Sequence, residues 1–87
     1  MAVVLLSTAP SRDVYEKVAG AVAVAENRPA GLIAHTAGEV DGEVRIVDIW
    51  ESQEAADAFA AQVVPAIEGA GAAPSATTYE TFDFYRA

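Results

Sequence analysis

His35 is the chain's only histidine. It sits in the run GLIAHTA, and Asp48 and Trp50 sit in the run VRIVDIWES, so an imidazole and a carboxylate each interrupt an otherwise apolar segment. A carboxylate that holds one ring nitrogen fixes the imidazole tautomer and leaves the other nitrogen to work as a general base or as a hydrogen-bonding group. A buried pair that only satisfies itself is the other reading of the same two residues. Trp50 follows Asp48 by two positions, so on a strand both side chains point the same way. Its indole offers a flat surface for stacking on an aromatic ligand, or it closes one end of the fold. Tyr15, Tyr79 and Tyr85 carry phenol hydroxyls that a polar ligand could use, or they occupy half-buried structural positions. The candidate catalytic residues are therefore His35 and Asp48, and the candidate ligand contacts are Trp50, Tyr15, Tyr79 and Phe59. Arg45 could pair with a ligand carboxylate or with one of the many acids.

No cysteine is present, so thiolate chemistry and disulfides are excluded, and one histidine cannot build a closed structural zinc site. Glu39, Asp41 and Glu43 lack the spacing of a calcium loop and read as a solvated hairpin tip. No metal or other cofactor is expected.

The elements that must position these residues follow in order. Ala2–Leu6 is an unbroken β-branched and leucine run, which fits a strand covered on both faces and hence central in a sheet. Ser11 caps a helix with Asp13 in its first turn, and Val14, Val18, Val22 and Ala25 recur at helical spacing. That helix ends near Glu26 or Asn27, ahead of Pro29. Gly31–Ala37 and Val44–Trp50 are the second and third strands. Asp41-Gly42 between them is a hairpin turn, because both central positions need positive φ. With those two residues as the turn, Val40 pairs with Glu43 and His35 lies opposite Asp48; an odd slip would separate them onto different faces.

Ser52 caps the second helix, with Glu54 in its first turn and Ala56, Phe59, Ala60, Val63 and Ile67 as its buried stripe. Pro65 should kink or split it, and Gly69 and Gly71 should stop it. Thr77–Tyr85 is the fourth strand. Alanines such as Ala19, Ala21, Ala55, Ala56 and Ala60 leave room for a cavity or allow close helix packing.

The 87 residues make one domain, 1–87, near the size at which a single core barely suffices. Five Lys and Arg against 13 Asp and Glu give a formal net charge of −8, which repels a nucleic-acid backbone and an anionic membrane. The opening MAVVLLSTAP is too short to span a bilayer and lacks a basic leader, so a cytoplasmic protein is expected.

The βαββαβ order predicts a ferredoxin-like α+β sandwich: a four-stranded antiparallel sheet with both helices on one face. The other face then stays apolar. Val44 and Ile46 oppose Val47 and Ile49 on strand three, and Phe82 and Phe84 oppose Tyr79 and Tyr85 on strand four. A patch of that kind predicts a symmetric homodimer with the two sheets face to face.

The order of elements, the length, the segments GLIAHTAG and VRIVDIWES, and a helix with Phe59 and Pro65 together resemble the dimeric α+β barrel superfamily. The nearest likeness is to small proteins similar to the antibiotic biosynthesis monooxygenases. The resemblance spans nearly the whole chain and implies a homodimeric barrel. It also implies a cavity between sheet and helices, lined by a tryptophan at the end of the third strand, where Trp50 stands. Those cofactor-free enzymes tend to use an asparagine on the first strand; here the only asparagine is Asn27. Haem-degrading members supply a histidine from the second helix, which has none in this chain. The function implied is binding of a small apolar, aromatic, polyketide-like metabolite, with cofactor-independent oxygenation or proton transfer that assists cyclisation. The alternative is a non-catalytic ligand-binding or accessory dimer.

Overall fold

The computed structural model describes residues 2–22 and 28–86. Val3–Ala9 forms β1, longer than the apolar run alone, because Ser7, Thr8 and Ala9 continue the ladder opposite Ile46, Arg45 and Val44. Pro10, which has no N–H to give, follows its last residue. Ser11 then opens α1, Arg12–Val22, by accepting the Val14 N–H at 3.2 Å. Arg12 and Glu16 pair across one turn at 2.9 Å on the exposed side. The expected helix end at Glu26 or Asn27, the stripe position Ala25 and the sole asparagine all lie outside the described residues.

Leu32–Val40 is β2 and Glu43–Trp50 is β3. Asp41 and Gly42 between them have φ of 52° and 83°, the primed two-residue turn expected for Asp-Gly. β2 therefore runs on to Val40, which pairs with Glu43, and His35 stands opposite Asp48. A bulge between Leu32 and Ala34 lets Leu32, not Ile33, face the same side as Trp50.

Gln53–Gly69 is α2. Ser52 caps it, its hydroxyl accepting the Ala55 N–H at 3.1 Å. Pro65 lies inside the helix without splitting it. The carbonyl it leaves without a donor belongs to Ala61, and both residues are exposed, so water can serve that carbonyl. Gly71, at φ 81°, ends the helix. Its N–H reaches Glu68 O at 3.0 Å and the Ala72 N–H reaches Ile67 O at 3.1 Å, a left-handed cap that glycine forms readily.

β4 is Ala76–Glu80, which corrects the longer strand expected from the aromatic alternation. It pairs only with β1, and Glu80 already lies opposite Val3 at the start of that strand. Thr81 spends its N–H and hydroxyl on Ala2 O, and beyond it the chain has no partner strand. Phe82 and Tyr85 are consequently solvent-exposed and not members of a strand face.

The sheet order is β2-β3-β1-β4, antiparallel throughout, the ferredoxin-like α+β arrangement. Val3, Leu5 and Ser7 of β1 share a face with Ile46, Asp48 and Trp50 of β3, beneath the helices. Val3, Trp50 and Ala56 form the core there, with Leu32, Ala55 and Phe59 packed against them. Leu6, Val47, Ile49, Val40 and Tyr79 point to the opposite face, which no helix covers. On it Leu6, Val40 and Tyr79 are 39 %, 50 % and 52 % exposed.

Gly31 joins this core to the start of α2. At φ 83° it accepts the Glu51 N–H at 2.8 Å, and a Cβ there would stand 2.6 Å from Ala55 Cβ. Gly31→Ala should cost about 1–3 kcal/mol. Thermal denaturation would show this at roughly 4–8 °C per kcal/mol for a domain of this size; an unchanged Tm would contradict the close approach.

Candidate active site

The register of the β2–β3 hairpin sets the centre of the site. His35 Nδ1 lies 2.5 Å from Asp48 Oδ1, and His35 Nε2 lies 2.8 Å from Tyr15 Oη, which α1 brings over the sheet. An ionised carboxylate can only accept, so Nδ1 carries the proton; in the neutral imidazole Nε2 is then the acceptor and the Tyr15 hydroxyl donates to it. The Tyr15 and His35 rings lie within 10° of parallel. Asp48 is buried, whereas the His35 side chain is 37 % exposed.

Burial raises the Asp48 carboxyl above its ordinary value of 3.8, against the hydrogen bond and charge of His35, which lower it. Desolvation is thus the larger influence. The Tyr15 phenol is also raised, first by burial and then by the negative charge of Asp48. Tyr15 is therefore held in its neutral, donating form.

This trio borders an open cavity of about 170 Å³ between the sheet and the helices. Leu5, Val14, Val18, Phe59 and Val63 are among the residues of its apolar wall, and Trp50 belongs to the lining as well. Trp50 is almost fully buried and packs on Phe59 with ring centroids 5.2 Å apart. Its indole N–H is buried without a hydrogen-bond partner. Ser7, Thr8 and Ser75 add hydroxyl-bearing residues to the lining, and among the described residues no Lys or Arg reaches it.

Of the residues singled out in the sequence, His35, Asp48, Tyr15, Trp50 and Phe59 converge on this cavity. Tyr79 does not. It lies opposite Val4, on the uncovered face of the sheet. Arg45 takes its simpler reading and pairs with Glu43 at 2.8 Å, away from the cavity. Among the described residues no three His, Cys, Asp or Glu side chains cluster as metal ligands. The hydrogen bond between Tyr15 and His35 leaves little trace in the sequence. Its one signal is the position of Tyr15 between Val14 and Val18 on the inner stripe of α1.

No protein-family model matches the chain, and no curated sequence matches it. Solved structures do. One is a candidate antibiotic biosynthesis monooxygenase from Deinococcus radiodurans, at 17 % identity and TM-score 0.71 over 100 % of this chain and 98 % of that one. A second is the monooxygenase ActVA-Orf6 of Streptomyces coelicolor in complex with nanaomycin D, at 19 % identity and TM-score 0.66 over 98 % and 91 %. A third is a variant of SnoaB, a cofactor-independent oxygenase from Streptomyces nogalater, at 18 % identity and TM-score 0.65 over 95 % of each chain. The chain shares its fold with these three structures. At these identities the likeness carries the fold alone, and within that fold the cavity of this chain is furnished with the Tyr15–His35–Asp48 trio.

The raised Asp48 value has a stability consequence of definite sign. A carboxyl whose folded value exceeds the unfolded one contributes stability that is complete below about 3.8. That contribution is lost as pH rises through the higher folded value, where the buried group must ionise. The difference in Tm between wild type and Asp48→Asn should therefore change across that interval, wild type losing ground as pH rises. A difference that stays flat with pH, measured by calorimetry, would contradict the burial assignment.

Proposed function

We propose that the protein is a homodimer that binds a small, largely apolar aromatic metabolite of polyketide type and transforms it without a bound cofactor. The observation that carries this reading is an apolar cavity with a single hydrogen-bonded acid–base chain, Tyr15–His35–Asp48, on its wall. The structural neighbours include a cofactor-independent oxygenase and a monooxygenase in complex with nanaomycin D, which supports the same kind of chemistry.

The chemistry follows from the trio. Removal of a proton from an electron-rich ring leaves an anion that can hand an electron to dioxygen, or attack a carbonyl within the same molecule. In the first case a ring methylene and one dioxygen become a carbonyl and one water; in the second a ring closes with no change of oxidation state. His35 is the base and Asp48 its positioning residue. Phe59 presents the apolar surface on which the ring lies, backed by Trp50 packed against it.

A non-catalytic binding or accessory role is the second reading. The observation that favours it is that the two imidazole nitrogens already have partners within the protein, so the trio can stand as a satisfied polar group. The uncovered sheet face supports the dimer in either reading. It is apolar at its centre, where Leu6 on β1 lies beside Val47 on β3. Two such faces packed about a two-fold axis would remove both from water.

Oxygen uptake with an anthrone substrate tests the catalytic reading. Turnover above the uncatalysed rate is expected, with His35→Ala lower by about 100-fold and Trp50→Phe changed less. No stimulation by the wild type, or no change in either variant, would remove oxygenation from the reading. For the dimer, sedimentation velocity should give twice the chain mass for wild type and the single chain mass for Leu6→Lys. A wild-type monomer at working concentrations would defeat the face-to-face assembly.

A further inference from the structure

Both imidazole nitrogens of His35 are engaged, Nδ1 by Asp48 and Nε2 by Tyr15, so a ligand cannot reach the base directly without breaking one of these bonds. Asp48 borders the cavity with its side chain only 9 % exposed, against 37 % for His35, so it offers a guest little surface. The more accessible hydrogen-bonding capacity of the trio is on Tyr15 Oη, whose proton is committed to the neutral His35 and whose lone pairs remain free. The end of the chain that meets a guest is therefore an acceptor.

We propose that Tyr15 is a catalytic residue and that the ligand is a neutral phenol or enol, which donates its hydroxyl hydrogen to Tyr15 Oη. This rests on the small-aromatic reading of the cavity and specifies its substrate class. In the step, the ligand O–H bond breaks and a new O–H forms on Tyr15, while the original Tyr15 proton passes to His35 Nε2. The products are an aryl or enol oxide, a neutral Tyr15 and an imidazolium held against the Asp48 carboxylate. The total charge of site and ligand does not change.

Two further observations point to a neutral donor and not to an anion. No Lys or Arg among the described residues lines the cavity, and the chain carries a formal net charge of −8, so an anion is repelled on approach and unpaired on arrival. A neutral hydroxyl meets neither obstacle, and its charge develops only when the imidazolium is formed beside it. The cavity of about 170 Å³ exceeds the ~150 Å³ that holds a benzene. A two-ring phenol fits with part of it reaching through the mouth.

The matched pair 7-hydroxycoumarin and 7-methoxycoumarin separates these ideas, because they differ only in the hydroxyl hydrogen. Calorimetric titration of the wild type should give about tenfold tighter binding of the hydroxyl compound. Its absorption should shift toward the long-wavelength band of the anion at a pH where the free compound is neutral. Tyr15→Phe alone frees His35 Nε2 to accept the hydroxyl, so the double variant Tyr15→Phe/His35→Leu is the one that should bind both compounds alike, while His35→Leu alone should keep the preference. His35→Gln, whose amide accepts a hydrogen bond but takes no proton, should keep the preference and lose the anion band. Equal affinities in the wild type, loss of the preference in His35→Leu, or a preference that survives Tyr15→Phe/His35→Leu, would overturn the role of Tyr15 while leaving the apolar site standing. Retention of the anion band in His35→Gln would overturn the relay. Failure of both coumarins to bind would remove the aromatic-ligand reading itself, and this inference with it.

Discussion

Two residues in left-handed backbone geometry, Asp41 and Gly42, fix how β2 lies against β3. Because a strand alternates its side chains with a period of two, that single choice decides whether His35 and Asp48 share a face. A turn longer by one residue would rotate His35 to the uncovered side and leave Asp48 buried beneath the helices without a partner, which costs far more than losing a surface contact. The hairpin turn thus governs packing and chemistry together.

Asp48 shows the energetic tension of such a site. Its carboxylate is desolvated beside an apolar core, which works against the charge, while His35 works for it. Tyr15 adds a third member that is neutral and donates inward. The result is a polar chain whose members satisfy one another inside an apolar wall, the condition under which a buried network is tolerated. Its exposed end is formed by His35 and Tyr15, and this places the acid–base chain at the boundary between cavity and solvent.

The sequence made the six elements, their order and the hairpin register legible, because each rests on local chemistry: β-branched runs, Ser11 and Ser52 as caps, Asp-Gly as turn, Gly71 as stop. What it left hidden depends on distant partners. The length of β4 is set by where β1 begins, and the aromatic alternation of Phe82, Phe84 and Tyr85 carries no trace of that limit. Tyr79 lost its place in the cavity for the same reason, since its face is decided by pairing with Val4. The bulge at Ile33 has no glycine or proline to announce it. Tyr15 meets His35 only because α1 crosses the sheet at one particular offset, a relation between elements that periodicity within one element does not contain.

Helix α1 contributes Val14, Tyr15 and Val18 to the cavity, yet none of its described residues is buried. The tightly packed cluster of Val3, Trp50 and Ala56 belongs to β1, β3 and α2 instead. The side of the cavity that α1 supplies is thus built apart from the keel, although Trp50 serves both core and cavity. Valines on α1 can be traded for larger or smaller neighbours to recut the hollow for another guest, while the framework that keeps the molecule upright is left untouched.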